Sequence, residues 1–409
     1  MRIPTGALTE RNFRLLFSST TVSGLGDGIS NVALAFAVLQ VSNSAIALGF
    51  VLAARQVANA GIVLAAGVWA DRLPRHVILI VAAVLMGAAQ TATGTLVITG
   101  DATVPLLVGL QIVYGLADGF VLPASTGLIP ATVSPARLQQ ANALLGLSQN
   151  GSRILGPALG GALVALGSPG TALLADAASF AVAAALLLPL RMAQRAQVIE
   201  SKPFFHELRE GWGEFRRQTW LWTTILFFGI GNFAYSSYFV LGPVIAKQDL
   251  GGAPAWAAIT TGFSVGSLLG GLVALRIRPR KQLAASCMAA WPIVLQPLGL
   301  ALGFPLWALV AISAFAGTGL AVHLALWFTV FQQQVPAESM SRVSAYDAFG
   351  SFVLGPLGAA LAGPVAAGIG VKETLLAAVG VIVLSEAIVF SQPSVHAIRA
   401  PEPLAPEPA

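Results

Sequence analysis

Long apolar runs follow one another along the whole chain, and short polar connections separate them. A helix that crosses the hydrocarbon of a bilayer needs about 20 mostly apolar residues. The connections are rich in Gly, Pro, Ser and Asn, which favour turns. By these criteria the pattern predicts twelve spans: 13–39, 44–69, 77–98, 104–128, 139–166, 171–190, 220–246, 256–276, 283–303, 305–331, 342–368 and 372–391. The predicted fold class is an all-α polytopic membrane protein.

The composition supports a membrane protein. Of the 409 residues, 56% are hydrophobic and 10% are charged, whereas a soluble domain carries about a quarter charged residues. The one cysteine, Cys287, excludes an internal disulfide and a cysteine metal cluster. The sequence has no nucleotide-binding glycine loop, no metal-spaced His/Cys cluster and no nucleophile–base constellation. We therefore expect no cofactor, no bound metal, no nucleic-acid partner and no enzymatic activity.

The basic residues predict the orientation. With both termini in the cytoplasm, Arg55 and Arg153 lie deep inside spans, and Lys247 and Lys372 lie at the outer side. The other 18 of the 22 lysines and arginines then lie in cytoplasmic loops or at cytoplasmic helix ends. The prediction is a multi-pass protein of a bacterial cell membrane that is surrounded by lipid and acts as a monomer.

The longest interruption divides the spans six and six. Within it, Phe204, Phe205, Leu208, Trp212 and Phe215 fall on one stripe of a helix, which predicts an amphipathic helix in the cytoplasmic interface. A flexible basic linker is the alternative. The predicted divisions are a six-helix bundle over 1–190, a linker over 191–219, a second bundle over 220–392 and a disordered tail over 393–409.

The two halves carry related sequence patterns. Gly67-x-x-Ala70-x-Arg72 recurs 204 residues later, beginning at Gly271, and the Gly-Pro pair at Gly156 recurs 199 residues later at Gly355. Two similar offsets, each reaching the matching span of the other half, indicate a duplicated six-helix unit. Such duplication places a binding site between the halves near the middle of the membrane.

The connection between the second and third spans is unusually rich in charge. It has the sequence G-V-W-A-D-R-L-P-R-H, from Gly67 to His76. It resembles the signature loop of the major facilitator superfamily, with matches at Gly67, Asp71, Arg72 and Arg75. The resemblance covers essentially the whole chain, and it implies two pseudo-symmetric six-helix bundles that work by alternating access. In that family the loop would act as a cytoplasmic latch, with Asp71 near the start of the eleventh helix, around residues 341–343.

A second motif lies in the fifth span, where Gly156-Pro157-x-x-Gly160-Gly161 resembles a pattern associated with exporters. Together with the preceding P-A-R-L-Q-Q-A-N-A-L-L, it is similar to the branch that contains enterobactin exporters and macrolide-efflux proteins. The chain departs from the family in the fourth span, where Gln111 replaces an arginine often implicated in proton coupling.

Four charged residues lie near the middle of spans in the first half: Asp27, Arg55, Asp118 and Arg153. A charge at the bilayer centre costs roughly 3 kcal/mol or more, so such residues usually face a cavity and pair. Buried ion pairs that fix helix packing are one interpretation; a proton or substrate site centred on the two aspartates is the other. Asp176 is expected to lie at the outer vestibule, and aromatic residues such as Tyr235, Tyr238, Trp327 and Phe331 are candidates for a cavity wall or for core packing.

Glycines repeat at four-residue spacing in the eighth span, at Gly262, Gly266 and Gly270, and in the fifth span, at Gly156 and Gly160. Small residues so arranged allow close approach of two helices. We expect the two stripes to pack against each other across the halves; packing within one half is the alternative.

These features predict a secondary transporter that exports small amphipathic organic molecules, such as drugs, antibiotics or siderophore-like compounds, in exchange for protons. A proton-coupled uptake symporter and a non-transporting membrane sensor are the alternative interpretations.

Overall fold

Helices make up nearly all of the chain that the structure, a computed structural model, describes. The described residues are 6–190, 212–213, 216–335, 343, 346–347, 350–351 and 353–398, with 63–72 and 127 described by their backbone alone. The predicted latch partner at 341–342 and most of the predicted linker helix lie outside these residues.

The first half contains seven helices that cover the six predicted spans. They are α1 (Arg11–Ser42), α2 (Ala45–Arg72), α3 (Arg75–Thr99), α4 (Val104–Asp118), α5 (Val121–Thr132), α6 (Leu138–Leu166) and α7 (Pro169–Leu187). The fourth span is divided into α4 and α5. Pro123 has no N–H to bond to the carbonyl of Gly119, so the helix is interrupted at residues 119–120.

The second half follows the same plan. Its helices are α8 (Thr219–Asp249), α9 (Ala253–Ala274), α10 (Gln282–Ala290), α11 (Leu295–Ala301), α12 (Leu306–Gln334), α13 (Gly355–Ile369), α14 (Val371–Ser391) and α15 (Pro393–Ala397). The ninth span is divided by a 3₁₀ turn, Trp291–Val294, which contains a proline. The prediction of disorder from residue 393 is wrong for residues 393–397, because α15 forms there and buries Val395.

Ten helices in the described part of the chain are long and apolar enough to cross a membrane, which confirms a polytopic all-α protein. Two predicted spans are not among these ten. One is the fifth span, which is helix α6, and the other is the eleventh span, whose second part the structure describes as α13. The first half of α6 contains many amide side chains and Arg153. Part of its low hydropathy has a structural reason, because Gln149, Ser152 and Arg153 line a cavity between the halves.

Glycines allow the closest helix contacts within each half. A Cβ on Gly156 would lie 2.6 Å from Cα of Gly28, so α6 and α1 touch backbone to backbone. Gly160 faces the backbone of Ile29 in the same helix pair. In the second half, Gly262, Gly266 and Gly270 face the backbone carbonyls of α12. The expected packing of the two glycine stripes on each other is therefore wrong in this structure: each packs within its own half.

We expect Gly266→Ala to destabilise the second half. The new Cβ would overlap the carbonyl oxygen of Ala314, which is backbone and can yield only if α9 and α12 separate. Such overpacking costs about 1–3 kcal/mol. Gly271→Ala in the same helix is the matched control, because nothing lies within 4 Å of its added Cβ. Thermal unfolding of the purified protein measures the difference; equal unfolding temperatures for the two variants would contradict the packing.

The halves meet at one end of the helices. We call this the distal end; it carries the turns that follow α1, α3, α6, α8, α11 and α13. The opposite end, where α1 begins and α14 ends, is the terminal end. At the distal end, Gly161 of α6 fits against Ala257 of α9, and Gly49 of α2 fits against Ala359 of α13. Lys247 of α8 also donates from Nζ to the carbonyl oxygen of Leu39, at 2.7 Å.

The buried apolar residues show the same asymmetry. At the distal end one continuous core joins residues of both halves, including Phe36, Leu48, Leu241, Trp256 and Ala362. At the terminal end the described cores belong to one half or the other. Among the described residues, the core that joins the two halves therefore lies at the distal end.

Candidate functional site

A cavity of about 640 Å³ lies between the two halves. The first half contributes residues of α1, α2 and α6, and the second half contributes residues of α8, α9 and α11. The lining residues from the first half are Gly24, Asp27, Gly28, Asn31, Val32, Ala35, Leu52, Gln56, Gln149, Ser152, Arg153 and Pro157. Those from the second half are Tyr235, Tyr238, Phe239, Pro243, Trp256, Thr260, Phe263, Ser264 and Gln296.

Asp27 is the acidic group of the cavity wall. Its Oδ1 accepts a hydrogen bond of 2.5 Å from the hydroxyl of Tyr114, which is fully buried. The guanidinium carbon of Arg55 lies 3.9 Å from the centroid of the same tyrosine ring, a cation–π contact. Tyr114 thus stands between Asp27 and Arg55. Asp27 has no ion pair within 4.0 Å in the described part of the chain, so its partner is a tyrosine rather than the arginine that the ion-pair interpretation would give it.

Asp118 lies one helical turn beyond Tyr114 on α4. Its Oδ2 accepts a hydrogen bond of 2.9 Å from Nδ2 of Asn59, which lies one turn beyond Arg55 on α2. Gly115 permits this pairing, because its missing side chain leaves room for the carbonyl of Arg55. Arg55 and Asp118 therefore form a layer behind the cavity wall, and they do not line the cavity themselves.

Arg153 is the basic group of the cavity lining, and its side chain is exposed. Ser152, next to it on α6, is buried and also lines the cavity, but its hydroxyl has no hydrogen-bond partner among the described residues. The side of the cavity formed by the first half therefore offers a carboxylate, a guanidinium and an unused hydroxyl to a bound molecule.

The second half presents aromatic rings to the cavity. Tyr235 and Tyr238 are stacked with their centroids 5.4 Å apart, and Phe239 meets both edge-on. Gln296 of α11 fixes the pair, because its Oε1 accepts from the Tyr235 hydroxyl at 2.6 Å and its Nε2 donates to the Tyr238 hydroxyl at 3.1 Å. The cavity is thus polar on one side and aromatic on the other.

The remaining sequence candidates lie elsewhere. Trp327 and Phe331 pack in the separate core of the second half at its terminal end. Asp176 is fully buried and bonded to Gln90 rather than placed at a vestibule. Gln111, which stands where the family often has arginine, is also fully buried, and its amide has no hydrogen-bond partner in the described residues.

The predicted latch is helical over most of its length. Helix α2 continues through Gly67 and Asp71 to Arg72, and α3 begins at Arg75, so the connection shrinks to Leu73 and Pro74. The expectation of a loop from Gly67 is therefore wrong. The side chains of Gly67 to Arg72 are outside the described set, and the latch contact of Asp71 stays a prediction.

Tyr114, Asn59, Gln296 and Ser152 are among the site residues that the sequence analysis did not identify. Each is a polar residue inside a predicted membrane span, and polar residues at such positions often have a functional role. Their partners are far away along the chain, 87 residues in the case of Tyr114 and Asp27. Spacing within one helix cannot reveal such pairs.

Comparison with known proteins identifies the class. A family model described as the Major Facilitator Superfamily matches residues 16–359. The chain therefore belongs to the major facilitator superfamily, a family of membrane transporters.

Among curated proteins, the chain is 27% identical over 377 residues to the enterobactin exporter EntS of Escherichia coli O1:K1, with 86% of each chain covered. It is 23% identical over 393 residues to macrolide efflux protein A of Streptococcus pyogenes, covering 95% of this chain and 96% of that protein. These similarities confirm the predicted resemblance to efflux proteins of this family.

Solved transporters share the fold. The nucleoside transporter NupG superposes with a TM-score of 0.72 at 13% identity, covering 93% of this chain and 98% of that one. A bacterial homologue of the iron transporter ferroportin, in an inward-facing state, gives a TM-score of 0.71 at 16% identity, covering 93% and 98%. At these identities the likeness concerns the fold alone.

Proposed function

We propose that the protein exports small amphipathic organic molecules from the cytoplasm in exchange for protons. The observation that carries the proposal is the two-sided cavity, in which Asp27 and Arg153 face stacked tyrosines. An amphipathic molecule places its apolar part against such rings and its polar part against the charged side. The similarity to an enterobactin exporter and a macrolide efflux protein, together with the Gly156-Pro157 motif, favours export over uptake.

The orientation rests on the basic residues. If the terminal end faces the cytoplasm, the distal contacts close the cavity on the outer side, and a substrate enters it from the cytoplasm or the inner leaflet. Outward release then requires the distal contacts to open and the terminal end to close. In this scheme the charged segment from Gly67 to Arg75 holds the terminal end closed when the cavity faces outward.

Proton exchange is assigned to Asp27 because it is the carboxylate that the cavity reaches. When ionised, Asp27 accepts the Tyr114 hydrogen bond and carries a charge that a substrate can compensate. A proton that arrives from outside neutralises Asp27 and weakens its attraction for the substrate, which favours release. Exchange follows because proton and substrate compete for the same group. Arg55 keeps its charge at physiological pH, so it orients Tyr114 and Asp27 and does not carry the proton.

Export is tested by accumulation of an aromatic dye in bacteria that lack their own major efflux pumps. Cells that express the protein are expected to hold less ethidium than cells with an empty vector, and a protonophore is expected to abolish the difference. Uptake would raise the dye content of the cells. A panel of antibiotics tested for growth inhibition extends the assay to molecules other than ethidium. Unchanged accumulation and unchanged inhibition across the panel would refute the proposal and favour a sensor.

A further inference from the structure

A second polar group is buried behind α1, inside the first half. It consists of Ser30 on α1, Gln90 on α3 and Asp176 on α7, all fully inaccessible to solvent. Nε2 of Gln90 lies 2.5 Å from Oγ of Ser30 and 2.6 Å from Oδ2 of Asp176. The group does not line the cavity, and the mechanism proposed above does not use it.

Asp176 lies against the backbone of the helix that carries Asp27. A Cβ on Gly26 would overlap the side chains of Asp176 and Ser179, so only glycine lets the carboxyl approach α1 there. Gly26 precedes Asp27 directly, and successive residues of a helix point about 100° apart. The two carboxyl groups thus lie on different faces of the same turn of α1.

No cation compensates Asp176 in the described part of the chain. Helix α1 contributes Asp27 as the nearby titratable group, and α3 contributes the neutral amide of Gln90. From α4, Tyr114 packs edge-on against Phe180 of α7 at 5.9 Å, and Arg55 lies on that tyrosine ring. An ionised carboxylate buried without an ion-pair partner is costly, and binding a proton removes that cost.

The side-chain amide of Gln90 can form hydrogen bonds with Asp176 in either protonation state of the carboxyl group. Both short contacts reach the same end of its amide, while Oε1 is buried with no partner. With NH₂ at that end, the amide donates to an ionised Asp176. After a half-turn of the amide, the carbonyl accepts from the Ser30 hydroxyl and from a protonated Asp176.

We propose that Asp176 is a second proton-binding carboxyl of the transport cycle and that Gln90 is the partner that responds to its protonation. The proton adds to Oδ2 of Asp176, and the Gln90 amide turns from donor to acceptor. Two negative charges, one on α1 and one on α7 beside the same turn of α1, repel each other, so ionisation of Asp27 favours the protonated form of Asp176. This role in transport rests on the proposed function, but proton binding itself does not.

Infrared difference spectroscopy of the purified protein tests proton binding without any substrate. As the pH changes, the wild type is expected to show a titrating band of a protonated carboxyl together with a change in a glutamine amide band. Asp176→Asn should remove the glutamine change and lower the carboxyl band, because asparagine keeps the shape but binds no proton; the part of the band that remains belongs to Asp27. Ser179→Ala leaves the acid in place and removes only the hydroxyl that donates to Oδ1 of Asp176 at 3.4 Å, so as the matched control it should retain the glutamine change and the full carboxyl band, titrating at a displaced pH. Identical spectra for wild type and Asp176→Asn would overturn the proposal.

A second measurement separates a proton site from a structural one. In proteoliposomes, Asp176→Asn is expected to flatten the dependence of transport on pH, whereas a structural defect lowers the rate equally at every pH. A uniform loss, with no titrating band assigned to Asp176, counts against the proposal. If no compound in the panel is exported but the Asp176 band titrates, the proposed function fails while proton binding by Asp176 stands.

Discussion

Replacing Asp27 by Asn is expected to abolish proton-driven export while the protein still folds and reaches the membrane. Asparagine keeps the shape of the side chain and still accepts the Tyr114 hydroxyl, but it neither carries a charge nor binds a proton. Removing a group that transfers the proton costs about 100-fold or more in enzymes, and we expect a loss of that order here.

The measurement is substrate-induced proton release from purified protein in lightly buffered detergent solution. The wild type should release protons when substrate binds, and Asp27→Asn should not. Asp118→Asn is the matched control, because Asp118 lies in the layer behind the wall, bonded to Asn59. Unchanged release in Asp27→Asn would move the role to Asp118. Unchanged release in both variants would place coupling outside these two residues.

Tyr114→Phe refines the same experiment. The aromatic ring that makes the cation–π contact with Arg55 remains, while the hydroxyl that donates to Asp27 is removed. A hydrogen bond to a charged group contributes about 1.5–3 kcal/mol. The variant should therefore still release protons, but with the pH dependence of release displaced. A variant that behaves like wild type at every pH would show that the hydroxyl does not influence Asp27.

The membrane spans could be predicted because hydrocarbon requires long apolar runs. The same reasoning identified Asp27 and Arg153, since a charge in such a run must face a polar cavity. Both residues line the cavity. The pattern could not separate them from Arg55 and Asp118, which have the same character but lie one layer behind. That distinction depends on how α2 and α4 pack, and distance along the chain does not encode it.

The glycine stripes show a second limit. Four-residue spacing identifies a helix face that can approach another helix closely, and Gly262, Gly266 and Gly270 do form such a face. Their partner is α12 of the same half, and Gly161 makes the contact with the other half instead. The spacing is identical for either partner, so the sequence left both possibilities open.

Gly49 offers the strongest test of the contact between the halves at the distal end. A side chain at Gly49 of α2 would overlap the carbonyl oxygen of Ala359 in α13, and one at Gly363 would overlap the backbone at Ala45 and Ile46. We expect Gly49→Leu to prevent distal closure, so that the inward-open state is lost while each half still folds. Steric overlap of this kind costs about 1–3 kcal/mol or more, and each 1.4 kcal/mol changes a population about tenfold. Transport should therefore fall by roughly fivefold to 100-fold or more.

The measurement is labelling of a cysteine at Ala35, deep in the cavity, by a membrane-impermeant thiol reagent. Cys287, the one native cysteine, is buried and is replaced by alanine in all variants. Gly49→Leu should increase labelling from the distal side, because the halves no longer seal there. Gly61→Leu, in the same helix with nothing within 4 Å of its added Cβ, is the matched control and should label like the parent. Equal distal labelling of Gly49→Leu and Gly61→Leu, with transport intact in both, would show that α2 and α13 do not form the distal seal.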